Sequence, residues 1–323
     1  MPVHSVRLQR TTSGILKSMI VRRKHDQVEW IDAVSPTTEE VRALMDEFAL
    51  DSLIADELVA PSLRNRVDAR DDYFYLVLRF PAFQQPHDIV CHSVEVDFVV
   101  GRSWILTVRY DPIDPLEQFE RLFEVDTELE NKKFDGHAGL VFIAMLSALY
   151  RTLHDELAHI GMRIDSVEER VFEGYEREMV VELSVLSRDL LNLAQALDYH
   201  HPLLQSLETP GVTLFGYEYA RHVRSMIGEY ERLSAALKSN RASLNELRET
   251  NNSLLTTKQN ETMKLFTILA FVMYPLTLTV GMFGMNTMHT PIVGHQYDFW
   301  IILGLMLSIA LVCFAYFKYK RWL

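Results

Sequence analysis

The strongest constraint on this 323-residue chain lies near its carboxyl end, where two long runs carry no charge. Leu265 to Met285 is the first and Phe299 to Phe317 the second. As helices they measure roughly 31 and 28 Å, enough to cross the hydrocarbon core of a bilayer. The loop between them, residues 287–298, contains no Lys or Arg, whereas Lys258, Lys264, Lys318, Lys320 and Arg321 flank the pair on the outside. The positive-inside rule therefore predicts a multi-pass protein of the inner or plasma membrane, with both termini in the cytoplasm and the loop facing outward. Met1 to Ile20 has polar and charged residues throughout, which predicts no secretory signal.

The membrane runs split the composition. Mean hydropathy is zero and formal net charge −12. Residues 258–323 hold five basic and two acidic side chains, or +3, so the remaining 257 residues carry −15. So acidic a body argues against nucleic-acid binding, which depends on Lys and Arg. Cys91 and Cys313 lie far apart and suggest neither a disulfide framework nor a zinc site.

Residues 1–136 read as a mixed α/β domain. Val94 to Val100 alternates, Gly101-Arg102-Ser103 turns, and Trp104 to Arg109 continues as a hairpin. Tyr73 to Phe80 reads as a further strand. Helices are expected at Thr37–Ala49, around Asp51–Leu58, and after Asp114-Pro115. Asn131 to Gly136 suggests the boundary. Residues 137–210 read as a charged helical hairpin with Gly174 at its turn, punctuated by His201-Pro202 and Thr209-Pro210-Gly211. Residues 211–264 form a long stalk helix. Its seam, Tyr219, Val223, Met226, Tyr230, Leu233, Leu237, Asn240, Leu244, Leu247, Asn251 and Leu254, alternates spacings of four and three. Residues 265–323 complete the chain as a two-span membrane domain.

A second seam continues into the first span on a different face. Thr256, Asn260, Met263, Thr267, Ala270, Tyr274 and Thr277 line a polar stripe along an otherwise apolar helix. Polar groups in a membrane span face another helix or water. For an arbitrary span, helix–helix packing by small polar residues is the more common source of such a stripe. Two spans cannot enclose a channel, so the pore reading requires a ring of subunits. The outer end of the span, Gly281-Met282-Phe283-Gly284-Met285-Asn286, places two glycines and a neutral amide where the helix must stop.

Gly284-Met285-Asn286, the preceding Tyr274-Pro275-Leu276-Thr277, Asn260-Glu261-Thr262-Met263-Lys264 and the ending Tyr316-Phe317-Lys318-Tyr319-Lys320-Arg321-Trp322-Leu323 resemble the two-span GMN family of CorA-type divalent metal ion transporters. The specific resemblance covers roughly the last 65 residues; the remainder agrees in layout. It implies an α+β membrane protein assembled as a funnel-shaped homopentamer, surrounded by lipid, whose five long helices line a pore for Mg²⁺ and often Co²⁺ or Ni²⁺. Gly284, Met285 and Asn286 would form the selectivity filter, with Asn286 contacting the hydrated ion. Asn260, Met263 and Thr277 fall on pore positions of the family. The resemblance implies neither an enzyme nor a resident cofactor, the cation being cargo.

Several positions depart from the family. Thr287-Met288-His289-Thr290-Pro291 replaces an acidic run, and the loop's acid is Asp298. With His289 and His295 this keeps open a transporter of Zn²⁺ or another transition metal. Tyr274 stands where many relatives carry Met, and Phe283 where Tyr is commoner. Gln84-Gln85, Asp88, Ser225, Glu218 and Glu229 do not reproduce the family's regulatory carboxylates, so no sensor site is assigned. His154 and His159 are five apart and do not share a helix face, and His200-His201 before Pro202 reads as a helix end. A membrane-anchored coiled-coil scaffold is the contrasting hypothesis, and it needs neither the polar seam nor Asn286.

Overall fold

The computed structural model describes residues 19–62, 64–83, 90–111, 114–128, 136–285, 292–294, 296–320 and 322. It divides into two compact units, one ending at Arg248 and the other beginning at Glu249.

The first unit is built on a six-stranded sheet. β1 (Met19–His25), β2 (Val28–Val34), β3 (Val67–Ala69), β4 (Tyr73–Phe83), β5 (Val90–Gly101) and β6 (Trp104–Arg109) lie in the order β1-β2-β6-β5-β4-β3. All neighbours are antiparallel except β2 and β6, which run parallel with Trp30 beside Ile105. The expected hairpin is β5–β6. β1 and β2 are strands that local pattern does not predict. β2 carries Glu29 and Asp32 between apolar residues, and Asp32 is buried because Arg109 of β6 reaches it, with Nη2 at 2.8 Å and Nε at 3.2 Å from Oδ2. That partner is 77 residues away, beyond the reach of any local signal.

α1 (Thr38–Phe48) and α2 (Ser52–Glu57) cover one face of the sheet. α1 opens with a capping box: Thr37 Oγ1 accepts from the Glu40 amide and the Glu40 carboxylate accepts from the Thr37 amide at 2.7 Å. Val41, Leu44, Ile54, Ala55 and Leu58 bury against Ile31, Tyr75, Val77, Val99 and Leu106. The opposite face carries α3 (Asp114–Glu128) and α4 (Ala138–Phe172). Trp30 meets Phe119 and Phe123 edge-on, and Phe142 does the same with Phe74 and Phe98.

α5 (Glu176–Leu197) returns antiparallel to α4 through a turn at Gly174, whose φ of 101° suits glycine. Contrary to expectation, proline does not interrupt the next two helices. α6 (His200–Ser206) and α7 (Glu208–Phe215) hold Pro202 and Pro210 as their third residues. Amides of the first turn have no helical acceptor, so a missing N–H costs little there. His200 likewise opens α6 rather than ending a helix. It is buried, 2.8 Å from the Tyr150 hydroxyl through Nδ1 and 2.8 Å from the Arg79 carbonyl through Nε2. Burial lowers its pKa to about 4, so at neutral pH it is an uncharged link between α6, α4 and the sheet.

α8 (Tyr219–Phe283) begins after Gly216, and α9 (Asp298–Tyr319) is the last helix among the described residues. The first seam is the shielded face of α8: Tyr219, Val223, Met226, Leu233, Leu237, Leu244 and Leu247 are buried. Asn240 donates to the Leu157 carbonyl at 3.0 Å and so pins the register of α8 on α4.

A buried acid beside α2 gives the sheet a pH dependence. Asp97 accepts from Tyr75 and Tyr110, each at 3.1 Å, with Glu95 and Glu57 the charged groups nearby and Arg66 over the Tyr75 ring. Burial, then the charge of Glu95, pushes its pKa well above the usual carboxylate value. The raised folded-state pKa means that this group stabilises fully below about pH 4, and that the contribution is lost as pH climbs toward the folded value. Asn fits the site, since its amide can donate to the Tyr110 oxygen while that hydroxyl turns to the Glu57 carbonyl at 3.3 Å. For Asp97→Asn the gain in melting temperature over wild type is therefore expected to grow between pH 5 and pH 8, read by thermal unfolding in detergent. A pH-independent difference would refute it.

Candidate pore face of the membrane unit

In the second unit, α8 from Leu265 onward and α9 expose mostly apolar side chains, and both helices contain a stretch long and apolar enough to cross a bilayer. Pro275 stays inside α8 without ending it. The helix closes at its carboxyl end as the Gly284 amide donates to the Val280 carbonyl at 2.8 Å. α9 meets α8 through Phe317, edge-on to Phe271 at 6.2 Å. Phe271 is not on the polar seam.

The seam occupies one side of α8. At about 100° per residue, Asn260, Met263, Thr267, Ala270, Tyr274 and Thr277 fall within about 100° of arc. Asn260, Met263, Tyr274 and Thr277 are exposed, and Thr267 and Ala270 half-buried. The shielded positions Ile268, Val272, Pro275, Thr279 and Phe283 lie about 140° away around the helix. Asn260, Met263, Tyr274 and Thr277 are therefore left uncovered within this unit, while Thr267 and Ala270 are covered about as much as Ile268 and Val272. A further hydroxyl, Thr279, which the seam pattern does not include, is buried on that other side and donates to the Pro275 carbonyl at 2.8 Å. Its spacing of two from Thr277 is the sequence signal that separates it from the seam.

The seam hydroxyls have a definite polarity. Thr267 donates to the Met263 carbonyl at 2.8 Å and Thr277 to the Met273 carbonyl at 2.9 Å. With each proton committed to the backbone, oxygen lone pairs remain to face outward. Toward the carboxyl end of α8 the same side holds a shallow apolar groove of about 410 Å³, lined by Tyr274, Thr277, Leu278, Gly281, Met282 and Met285.

Gly284 and Met285 directly follow α8, both exposed, whereas Asn286, His289 and His295 lie outside the described residues. So do Gln84, Gln85 and Asp88. Asp298 is engaged locally: its carboxylate accepts from the Gly294 amide at 3.1 Å and the Phe299 amide at 2.6 Å. It is the first residue of α9, and its carboxylate is held by these two backbone amides. Glu229 lies within 3.3 Å of the Ser147 hydroxyl, and Ser225 and Glu218 are exposed. Among the described residues no three His, Cys, Asp or Glu side chains converge as a metal site.

The profile of the family described as CorA-like Mg²⁺ transporter protein matches residues 25–321. The cobalt/magnesium transport protein CorA of Thermotoga maritima is 24% identical over 310 residues, which cover 95% of this chain and 87% of that protein. The protein of the same name from Methanocaldococcus jannaschii is 22% identical over 316 residues, covering 94% and 96%. The complete structure of the CorA magnesium transporter from Methanocaldococcus jannaschii superposes with a TM-score of 0.80 at 19% identity, over 95% of this chain and 97% of that one. A profile match across nearly the whole length, with the fold shared through both units' elements, establishes that the chain belongs to the CorA-like Mg²⁺ transporter family.

Proposed function

We propose that this chain is one subunit of a homopentameric, potential-driven channel for divalent cations, Mg²⁺ foremost, with Co²⁺ and Ni²⁺ as further cargo. The observation that carries the reading is the polar seam of α8, turned away from the shielded side of its own membrane unit. A polar stripe facing hydrocarbon is unfavourable, and a ring of copies around water removes that cost. The named relatives transport magnesium and cobalt, which supports the choice of cargo.

Mg²⁺ dehydrates reluctantly, so a pore for it handles the ion with its water shell. The waters around a cation present hydrogens outward, and the lone pairs of Thr267 and Thr277 complement them. Asn260 lies toward the cytoplasmic end, and the carbonyl oxygens of Gly284 and Met285 with the amide of Asn286 would form the neutral ring at the outer mouth. Neutral oxygens hold a hydrated ion without trapping it. Residues 1–136, 137–210 and 211–264 then make up the cytoplasmic α/β domain, helical hairpin and stalk, with residues 265–323 in the bilayer and both termini inside.

Membrane potential supplies the drive, about 4.6 kcal/mol for a divalent ion at 100 mV. Purified protein in vesicles under a potassium diffusion potential is expected to take up Mg²⁺ faster as the interior becomes more negative, without nucleotide. Uptake that ignores the potential would reject a passive channel. The same vesicles offered Zn²⁺, Co²⁺ and Ni²⁺ fix the order of preference.

A further inference from the structure

Tyr274 occupies the tenth position of the 21-residue charge-free run Leu265–Met285, with about 15 Å of helix on either side. Tyrosines of membrane helices ordinarily sit at the interfaces, where the hydroxyl meets water. This one is at mid-depth and 76% exposed, and its hydroxyl has no hydrogen-bond partner among the described residues. The side chain is far too short to reach either interface. Its hydroxyl must therefore meet a polar environment at the centre of the membrane.

A second polar group lies at the same level. Pro275 has no N–H, so the Phe271 carbonyl lacks its usual helical donor. Thr279 does not supply one, because its hydroxyl is bonded to the Pro275 carbonyl. The carbonyl of a helical residue emerges beside the residues three and four further on, which here are Tyr274 and Pro275. Tyr274 and a carbonyl deprived of its usual i+4 donor thus fall within one turn of α8.

Their position along the seam gives them a role. Between Thr267 and Thr277 lie about 15 Å of helix, and the seam residues there are Ala270 and Tyr274. Without the Tyr274 hydroxyl that interval has no polar side chain on the seam. Apolar constrictions of this kind close by dewetting. We propose that the Tyr274 hydroxyl, supported by the Phe271 carbonyl, is the polar station that keeps the middle of the pore wet, and so sets the permeation rate of hydrated divalent cations. The proposal rests on the pore reading above and deepens it. It distinguishes the hydroxyl from the ring: the ring narrows the passage, and the hydroxyl holds water in it.

Two substitutions separate these parts. Tyr274→Phe keeps the ring and removes the hydroxyl; Tyr274→Ser keeps a hydroxyl and removes the ring. Potential-driven Mg²⁺ flux would be measured on the full-length protein in vesicles, beside Asn286→Ala and with particle mass checked by light scattering. The expected result is a flux about tenfold lower for Tyr274→Phe, the worth of roughly one hydrogen bond, and for Tyr274→Ser a flux clearly above that of Tyr274→Phe, at unchanged mass. Wild-type flux in Tyr274→Phe alongside a silent Asn286→Ala would overturn the proposal and leave the pore reading standing. Equal loss in the Phe and Ser variants would overturn it in favour of ring packing. Wild-type flux in all three variants would overturn the pore reading with it, leaving Tyr274 on a lipid or protein contact.

Discussion

Replacing Asn286 with Ala is expected to lower Mg²⁺ flux by at least about a hundredfold while the assembly stays intact. A hydrogen bond to a charged group is worth about 1.5–3 kcal/mol, and a ring of subunits loses one such contact per copy at the same level of the pore. Even two lost contacts correspond to about 10²-fold in rate. Asn286 comes directly after Met285 at the end of the membrane run, where Gly284 closes the helix by bonding back to Val280. In the chain Asn286 comes after the last residue of α8, so light scattering should return the wild-type mass. Wild-type flux from a correctly assembled variant would reject Asn286 as part of the filter. Such a result would also favour the scaffold hypothesis, which has no use for an amide at the outer mouth.

The second large effect is on stability. Asp32→Ala is expected to cost about 3–5 kcal/mol, because it leaves the Arg109 guanidinium buried without its main counter-charge. Arg109 is 3% exposed and Asp32 2%. Asp32 also accepts from Thr107 Oγ1 at 2.6 Å, and Thr107 in turn accepts from the Trp30 indole at 3.0 Å, so one carboxylate organises the parallel β2–β6 pair. Glu117 lies 3.6 Å from the guanidinium but is partly exposed, and a solvent-screened partner replaces little of the loss. For a unit of this size the cost corresponds to a melting temperature lower by roughly 10 °C. The double variant Asp32→Leu with Arg109→Leu is expected to lose far less, since no unpaired charge then remains. Equal losses in single and double variants would show that packing, not charge, dominates.

The legibility of the sequence varied with the range of the forces involved. Helices α1, α4, α5, α8 and α9 were visible because their signals are local: a cap three residues from its partner, a turn glycine, and periodicity or hydropathy within one helix. β1 and β2 were not visible, because β2 is acceptable as a strand only once Arg109 neutralises Asp32 from across the sheet. Pro202 and Pro210 misled for a related reason. A proline's effect depends on its place in the helix, and these two occupy first turns. His200 gave no sign of burial, since Tyr150 and Arg79 come to it from 50 and 121 residues away.

The candidate pore divides in the same way. By itself the sequence determined two apolar spans, an acidic body of −15 against a tail of +3, and a polar seam whose spacing puts its members on one face of a helix. Spacing is a property of one helix and needs no partner. Only the tertiary structure decided which way that face turns: toward the exposed side of α8, with Thr279 and its neighbours shielded on the other. It also decided that the Asp298 carboxylate is held by the Gly294 and Phe299 amides and that the Thr267 and Thr277 protons are spent on the backbone. Direction and hydrogen-bond partner are relations between atoms distant in the chain or set by the local fold. Composition and periodicity carry no record of either.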